Sequence, residues 1–220
     1  LEIMNIISRV MFPTFSRLQH DSQSLKVALE KSLFITATLL FPILFGILAI
    51  APSLVHFLGD AKWGPVLPLI YLFSITAFWA SMSTLVTNFL NAIGKVKTTL
   101  KLMVMWTMLE WILAPLLTYK LGFIGMGISS ALISFTSIIP LIIARRIIGV
   151  NFWINIWQPL LASLTMSLSV YAFSNLIPEE FPVILTLIVL GVLIYVPLIF
   201  VITGNKLKSD LKGAIDAFSH

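Results

Sequence analysis

The chain has 220 residues, of which 59% are hydrophobic and only 10% are charged. One soluble domain of this size cannot bury so much apolar side chain, so the composition excludes an ordinary soluble protein and indicates an integral membrane protein. The formal net charge of +5 requires no nucleic acid partner, because basic loops facing anionic membrane lipids account for it.

The chain begins with two segments that differ in character. Residues 1–12 are predicted to be the end of an apolar transmembrane helix whose beginning lies outside the sequence. Residues 13–32 are mostly polar, and four apolar residues recur among them at near-helical spacing: Phe15, Leu18, Leu25 and Leu29. This pattern predicts an amphipathic cytoplasmic linker in the lipid headgroup plane, with a partner-binding helix as the alternative.

Six apolar runs follow, each long enough to cross a hydrocarbon core about 30 Å thick. Backbone polar groups in hydrocarbon need internal partners, so these runs are predicted to be helices. The predicted spans are 33–58, 65–92, 99–119, 122–144, 155–176 and 182–203. We expect an all-α polytopic bundle, with four helices over 33–144, two final helices over 145–203 and a basic tail over 204–220.

The basic residues are concentrated in alternate connections between these spans. Of the fourteen Lys and Arg, only Lys62 and Lys120 fall on one side. The other side carries Arg9, Arg17, Lys26, Lys31, Lys95, Lys97, Lys101, Arg145, Arg146, Lys206, Lys208 and Lys212. The positive-inside rule therefore predicts that this second side and the C-terminus are cytoplasmic. The predicted location is the plasma (inner) membrane, crossed several times.

The sequence contains no recognisable arrangement of catalytic residues. Hydrolysis or group transfer needs a nucleophile with a base, or an acid–base pair, within hydrogen-bond reach. His20, His56 and His220 lie far apart, there is no cysteine, and no glycine-rich phosphate loop is present. We therefore expect no enzyme activity, no metal site and no cofactor.

Small polar residues form stripes on two of the spans. In the second span the stripe consists of Ser74, Ser81, Thr84, Asn88 and Asn91, and in the fifth of Ser163, Ser167, Tyr171 and Ser174. Such a face can line a wet cavity, and it can equally let helices approach closely, so both interpretations stay open. Three glycines that open the fourth span favour close packing: Gly122, Gly125 and Gly127.

Four prolines lie well inside the spans: Pro42, Pro115, Pro140 and Pro197. Each removes a backbone hydrogen bond and crowds the preceding turn, so it is expected to weaken or bend its helix. Transporters that alternate between two access states use joints of this kind, although proline is also ordinary in membrane helices.

Glu110 lies near the middle of the third span. It is nine residues from both Lys101 and Tyr119, which places it roughly 14 Å from either boundary. A charged side chain at this depth costs about 2.5–3.5 kcal/mol, so Glu110 is expected to turn inward or stay protonated, with Trp106 packing one turn before it. It is either a satisfied polar contact or a site for a coupling proton, a sodium ion or substrate.

Four segments, taken in order, resemble a known family. They are VMFPTFSRLQHDSQSLKVALEKS, APSLVHFLGDAKWGPVLPLI, NFLNAIGKVKTTLK and YKLGFIGMGISSAL, which together cover roughly residues 10–135. Their order and spacing resemble the second half of the polysaccharide biosynthesis proteins. These are oligosaccharide flippases, such as the O-antigen type, of the multidrug/oligosaccharidyl-lipid/polysaccharide exporter superfamily.

The resemblance implies a two-lobed carrier that flips lipid-linked oligosaccharide to the outer leaflet by alternating access. The chain would hold most of the second lobe, and its partners would be membrane lipids, the lipid-linked substrate and the N-terminal lobe. The family has no invariant catalytic set, so no catalytic residue is carried over from it. Asn88 and Asn91 match its helix-end motif, whose implied role is structural, and Glu110 matches no pattern of the family. The polar stripe and the mid-span carboxylate themselves supply the candidate coupling or substrate residues, which are Glu110, Trp106, Asn88, Asn91, Thr84 and Ser81. The alternatives are a drug or metabolite exporter of the same superfamily, part of a polysaccharide polymerase or ligase, and a membrane scaffold.

Overall fold

The computed structural model describes residues 11–174 and 181–204, without the side chains of residues 60, 61 and 181–183. All elements in these ranges are helical. Residues 11–17 are helical and precede α1 (Ser22–Leu58), α2 (Asp60–Trp63), α3 (Leu67–Ala92), α4 (Val96–Leu121), α5 (Phe123–Ser134), α6 (Ile138–Ile148), α7 (Phe152–Ser174) and α8 (Phe181–Thr203). Two short 3₁₀ segments, η1 (Gly64–Val66) and η2 (Phe135–Ser137), precede α3 and join α5 to α6.

Six helical segments in the described ranges are long and apolar enough to cross a membrane. They confirm the predicted all-α polytopic class. Five of the predicted spans agree with observed helices to within a few residues, and the first span differs at its start. The helix begins at Ser22 rather than at residue 33, because the predicted linker continues without interruption into the apolar run.

The apolar residues of the predicted linker are covered by protein. Phe15 is 0% exposed, Leu25 and Leu29 are also buried, and the Phe15 ring lies edge-on to Phe89 of α3 with 5.6 Å between centroids. Asp21 accepts hydrogen bonds from the backbone N–H groups of Gln23 and Ser24, which caps the start of α1. Three of the four apolar residues that recur at near-helical spacing are therefore buried against protein, while the cytoplasmic, interfacial location of residues 13–32 stays a prediction.

The chain divides into two compact units, each built from separated segments. Unit 1 comprises Leu1–Thr36 and Ile75–Asn155, and unit 2 comprises Ala37–Ser74 and Ile156–His220. Both boundaries fall inside long helices, α1 and α3. Large side chains that are fully buried in unit 1 include Phe15, Phe34, Leu85 and Phe89, and those in unit 2 include Phe41, Leu187 and Val170. The division into consecutive segments that the sequence predicts stays a prediction. Nearly all of the predicted first segment, 1–12, and of the basic tail, 204–220, lies outside the described residues.

The fourth span contains a local change of helix type one turn before Pro140. Proline cannot donate to the carbonyl of Thr136, four residues earlier, and its ring crowds that carbonyl. The chain tightens there into η2, and the Ile138 N–H is directed to the carbonyls of Phe135 and Thr136. Around Pro42, Pro115 and Pro197 the helices continue. The proline positions alone therefore did not indicate which helix would change type.

Gly125 lies where α4 and α5 meet closely. A Cβ placed on Gly125 would be 2.2 Å from the carbonyl oxygen of Leu117 in α4, which is well inside van der Waals contact. Gly122, with φ of 65°, forms the turn between the two helices in a backbone region that favours glycine. Packing is the observed role of Gly125, in agreement with the expectation from the sequence.

Candidate functional site

The helix that carries Glu110 is poorly covered by other helices. Most of its large apolar side chains are exposed, and Trp111 reaches 78%. Glu110 and Trp106, four residues apart, lie together on the half-buried face of α4. The structure thus directs the one carboxylate of this span toward α5 rather than toward the exposed face.

Two serine hydroxyls of α5 lie within hydrogen-bonding distance of the Glu110 carboxylate. Ser130 Oγ donates to Glu110 Oε1 at 3.2 Å, and Ser129 Oγ lies 3.5 Å from the same oxygen. Ser129 is fully buried and donates its one hydroxyl proton to the Met126 carbonyl at 2.8 Å, so Ser130 is the main donor to the carboxylate. The described contacts of this carboxylate are with neutral hydroxyls, so the arrangement can hold a proton or accept a small cation without competition from an ion pair.

One turn before Glu110, Trp106 joins α4 to η2. Its indole N–H donates to Thr136 Oγ1 at 2.8 Å, and this hydroxyl in turn donates to the Ile133 carbonyl at 2.6 Å. Next to Thr136, the ring of Phe135 lies 5.8 Å from the ring of Trp79 in α3. The polar pair on α4 is therefore anchored at the point where the fourth span changes helix type.

The predicted polar stripe of α3 is divided by the structure. Ser81 is buried and donates to the Phe78 carbonyl of its own helix at 2.8 Å, whereas Thr84 is exposed. Asn88 and Asn91 are half-buried, and Asn91 Oδ1 is buried with no partner among the described residues. Thus the hydrogen bonds of Ser81 remain within α3, while those of Glu110 go to α5.

The stripe of the fifth span lies in unit 2 and serves in part as a packing surface. Ser167 Oγ donates to the Phe45 carbonyl of α1 at 2.9 Å, and Ser174 Oγ donates to the Tyr171 carbonyl. Ser163 is fully buried, and its hydroxyl lies beside that of Tyr195 in α8. An apolar cavity of about 370 Å³ also lies within unit 2, between α1, α7 and α8.

The sequence pattern indicated Glu110 and Trp106 but not the residues that form hydrogen bonds with them. Ser129, Ser130 and Thr136 all lie in the fourth span, within the stretch GISSALISFTS. Five hydroxyl residues in eleven positions of an apolar span are a signal that could have indicated a polar helix contact. Within the described residues, no group of three or more His, Asp or Glu side chains is placed to hold a metal ion.

Comparison with known proteins identifies relatives in polysaccharide synthesis. The model of a family described as polysaccharide biosynthesis protein matches residues 1–68. The chain is similar to the lipopolysaccharide biosynthesis protein WzxC of Escherichia coli K12, with 24% identity over 182 residues, covering 78% of this chain and 36% of WzxC. It is also similar to an uncharacterized membrane protein in the cps region of Klebsiella pneumoniae, with 26% identity, covering 96% of this chain and 45% of that protein.

The fold has a counterpart among solved structures. The lipid II flippase MurJ in its inward closed conformation matches with a TM-score of 0.72 and 16% identity, covering 91% of this chain and 43% of MurJ. At this identity the match shows the fold alone. The chain spans less than half the length of WzxC, of the Klebsiella protein and of MurJ. Together the matches confirm the resemblance to the polysaccharide biosynthesis protein family, and with the six candidate spans they support a multi-pass membrane protein.

Proposed function

We propose that this chain is part of a two-lobed flippase that moves lipid-linked oligosaccharide from the cytoplasmic to the outer leaflet of the plasma membrane. The observation that carries the proposal is the similarity to WzxC along 78% of the chain. The transporter-type helical fold supports it. The charge asymmetry of the sequence supports an orientation with the basic connections and the C-terminus in the cytoplasm.

Deletion of the whole gene tests this function directly. Without the flippase, lipid-linked oligosaccharide should accumulate on the cytoplasmic leaflet and surface glycan should be lost, and re-expression of the full-length gene should restore both. Leaflet location can be measured by the accessibility of the sugar to a lectin in sealed right-side-out and inside-out vesicles. Accumulation of unpolymerised intermediate on the outer leaflet would contradict the proposal and favour a polymerase, and unaltered glycan with lost drug efflux would favour an exporter.

We further propose that Glu110, held by Ser129 and Ser130, binds the proton or sodium ion that couples transport. The carboxylate lies at mid-span depth and is half-buried, and its described partners are hydroxyls that donate to the ionised form and accept from the protonated form. Protonation therefore changes the charge of the α4–α5 contact without removing its hydrogen bonds. Trp106, anchored on Thr136, fixes the face of α4 on which this change occurs.

Two variants separate coupling from a satisfied polar contact. Glu110→Gln preserves shape and hydrogen-bonding capacity but cannot titrate, so transport by the full-length protein should lose its dependence on pH or sodium and slow at least about tenfold. Ser130→Ala removes one hydroxyl and leaves the carboxyl, so the dependence of transport on pH or sodium should remain. If the Gln variant keeps the wild-type rate and the same dependence on pH and sodium, Glu110 has no coupling role.

A further inference from the structure

The turn of α1 that ends at Pro42 lacks one helical hydrogen bond. α1 continues through Pro42, and proline has no N–H to donate to the carbonyl of Thr38, four residues earlier. Within hydrocarbon an unpaired carbonyl is costly, so another donor is needed. The hydroxyl of Tyr195 donates to the Thr38 carbonyl at 2.8 Å. A side chain of α8 thus completes the backbone hydrogen bonding of α1 where proline interrupts it.

The same bond lies at the edge of the apolar cavity of unit 2. Tyr195 and Pro42 both belong to the cavity wall, together with Gly46 on α1 and Gly191 on α8. The cavity beside the bond has a volume of about 370 Å³, and the two glycines contribute no side chain to its wall. Tyr195 itself is buried. The two helices therefore touch through Tyr195 next to a region where they do not fill the space between them.

α8 has its own weakened turn at this place. Pro197 lies two residues after Tyr195 and cannot donate to the carbonyl of Leu193. Both helices are therefore softened where one side-chain hydrogen bond joins them. The contact between α1 and α8 thus combines a weakened turn in each helix, one hydrogen bond from Tyr195 and free volume beside it. Such a contact can adopt two discrete arrangements.

We propose that the Tyr195–Thr38 hydrogen bond is a latch that controls the separation of α8 from α1 along the cavity. When the bond is made, the two helices are held together and the Thr38 carbonyl is satisfied. When it is released, α8 moves away from α1 and the cavity widens. The latch goes beyond the proposed transport function, since it is a property of unit 2 that can be measured in the absence of substrate.

Ser167 provides a matched control for this bond. Its hydroxyl also donates to a backbone carbonyl of α1, that of Phe45, at 2.9 Å. The difference lies in the helix itself: residue 49 is alanine, so the Phe45 carbonyl keeps its own helical donor, whereas the Thr38 carbonyl faces Pro42. Removing the Ser167 hydroxyl should leave the helical hydrogen bond to the Phe45 carbonyl in place, and removing the Tyr195 hydroxyl should take away the donor that replaces the one Pro42 lacks.

The first experiment measures the distance between α1 and α8 in the full-length protein. Spin labels are placed on cysteines at Leu39 and Val201, which are 45% and 82% exposed, with cysteines outside this segment replaced. Tyr195→Phe should increase the fraction of molecules in a longer-distance population about tenfold, because the latched form loses its bond. Ser167→Ala should leave the distance distribution unchanged. Equal distributions in the Tyr195→Phe and Ser167→Ala variants would overturn the latch.

The second experiment asks whether proline creates the need for Tyr195. Pro42→Ala returns an N–H to the Thr38 carbonyl, so adding Tyr195→Phe to this background should change the longer-distance fraction by about twofold or less. An undiminished effect of Tyr195→Phe in the Pro42→Ala background would overturn the mechanism. A loss of thermal stability in Tyr195→Phe without a change in distances would show a fixed structural contact instead of a latch. Neither measurement requires transport. A negative result for the latch would therefore not bear on the proposed flippase function.

Discussion

Unit 1 and unit 2 use polar side chains in different ways. In unit 1, side chains of α4 pair with side chains of the fourth span, as in Trp106–Thr136 and Glu110–Ser130. In unit 2, Tyr195 and Ser167 donate to backbone carbonyls of α1. Of the lysines and arginines with described side chains, Lys62 alone belongs to unit 2. Under the two proposals made above, pH and ions act on unit 1, whereas unit 2 responds through helix geometry.

Packing offers the sharpest test of the comparison, because the two units place a buried leucine in different surroundings. Leu85 of unit 1 is fully buried, and Leu187 of unit 2 is equally buried but lines the cavity. Leu85→Ala should lower the free energy of unfolding by about 3 kcal/mol, and Leu187→Ala by about 2 kcal/mol, since a side chain beside existing space gives up fewer contacts. Denaturant unfolding in detergent micelles measures both.

A larger loss for Leu187→Ala than for Leu85→Ala would contradict the view that unit 2 is the less tightly filled unit. The comparison uses the same substitution at two sites with matched burial, so differences in the unfolded chain cancel to first order.

Glycine substitutions are expected to show the next largest difference. Gly125→Ala would bring a Cβ to 2.2 Å from a backbone oxygen of α4, so it should destabilise unit 1 by about 1–3 kcal/mol. Gly46→Ala in unit 2 meets only the flexible end of Met166 at 3.7 Å and should be neutral or slightly stabilising, because alanine favours helix. Thermal unfolding midpoints of the two variants check this, and a neutral Gly125→Ala would refute the close α4–α5 approach.

The smallest expected effect is a pH dependence at the start of α1. The Ser24 hydroxyl, and then the backbone N–H groups of Ser24 and Gln23, hold the pKa of Asp21 below its ordinary value of 3.8. A carboxyl with a lowered folded-state pKa stabilises the fold above its ordinary pKa, and this contribution is lost as the pH falls below 3.8 through the lower folded value.

Asp21→Asn should therefore weaken the pH dependence of the unfolding midpoint across this acidic range. At neutral pH the midpoint should change little, because asparagine also caps helices. Asp21 is fully exposed, so the effect should be small. An unchanged pH profile in the Asn variant would show that the capping bonds do not form in solution.

The sequence by itself determined the class of protein and the order of its helices. Long apolar runs must become helices in a membrane because their backbone groups have no other partners, so the number and approximate limits of the spans follow from composition. The depth of Glu110 and its one-turn relation to Trp106 follow from helix geometry. The same local rules anticipated that Gly125 serves close packing.

Only the tertiary structure decided which faces meet. The apolar pattern of residues 13–32 is the same whether its residues face lipid or protein, and only the structure shows that Phe15 is buried against Phe89. Likewise, Pro42 and Pro140 each remove one helical hydrogen bond, with different results. At Thr38 the replacement donor is Tyr195, 157 positions away, whereas the chain near Thr136 tightens into a 3₁₀ turn. A partner so distant in sequence leaves no local pattern, which is why Tyr195 became a functional candidate only once the helices were packed.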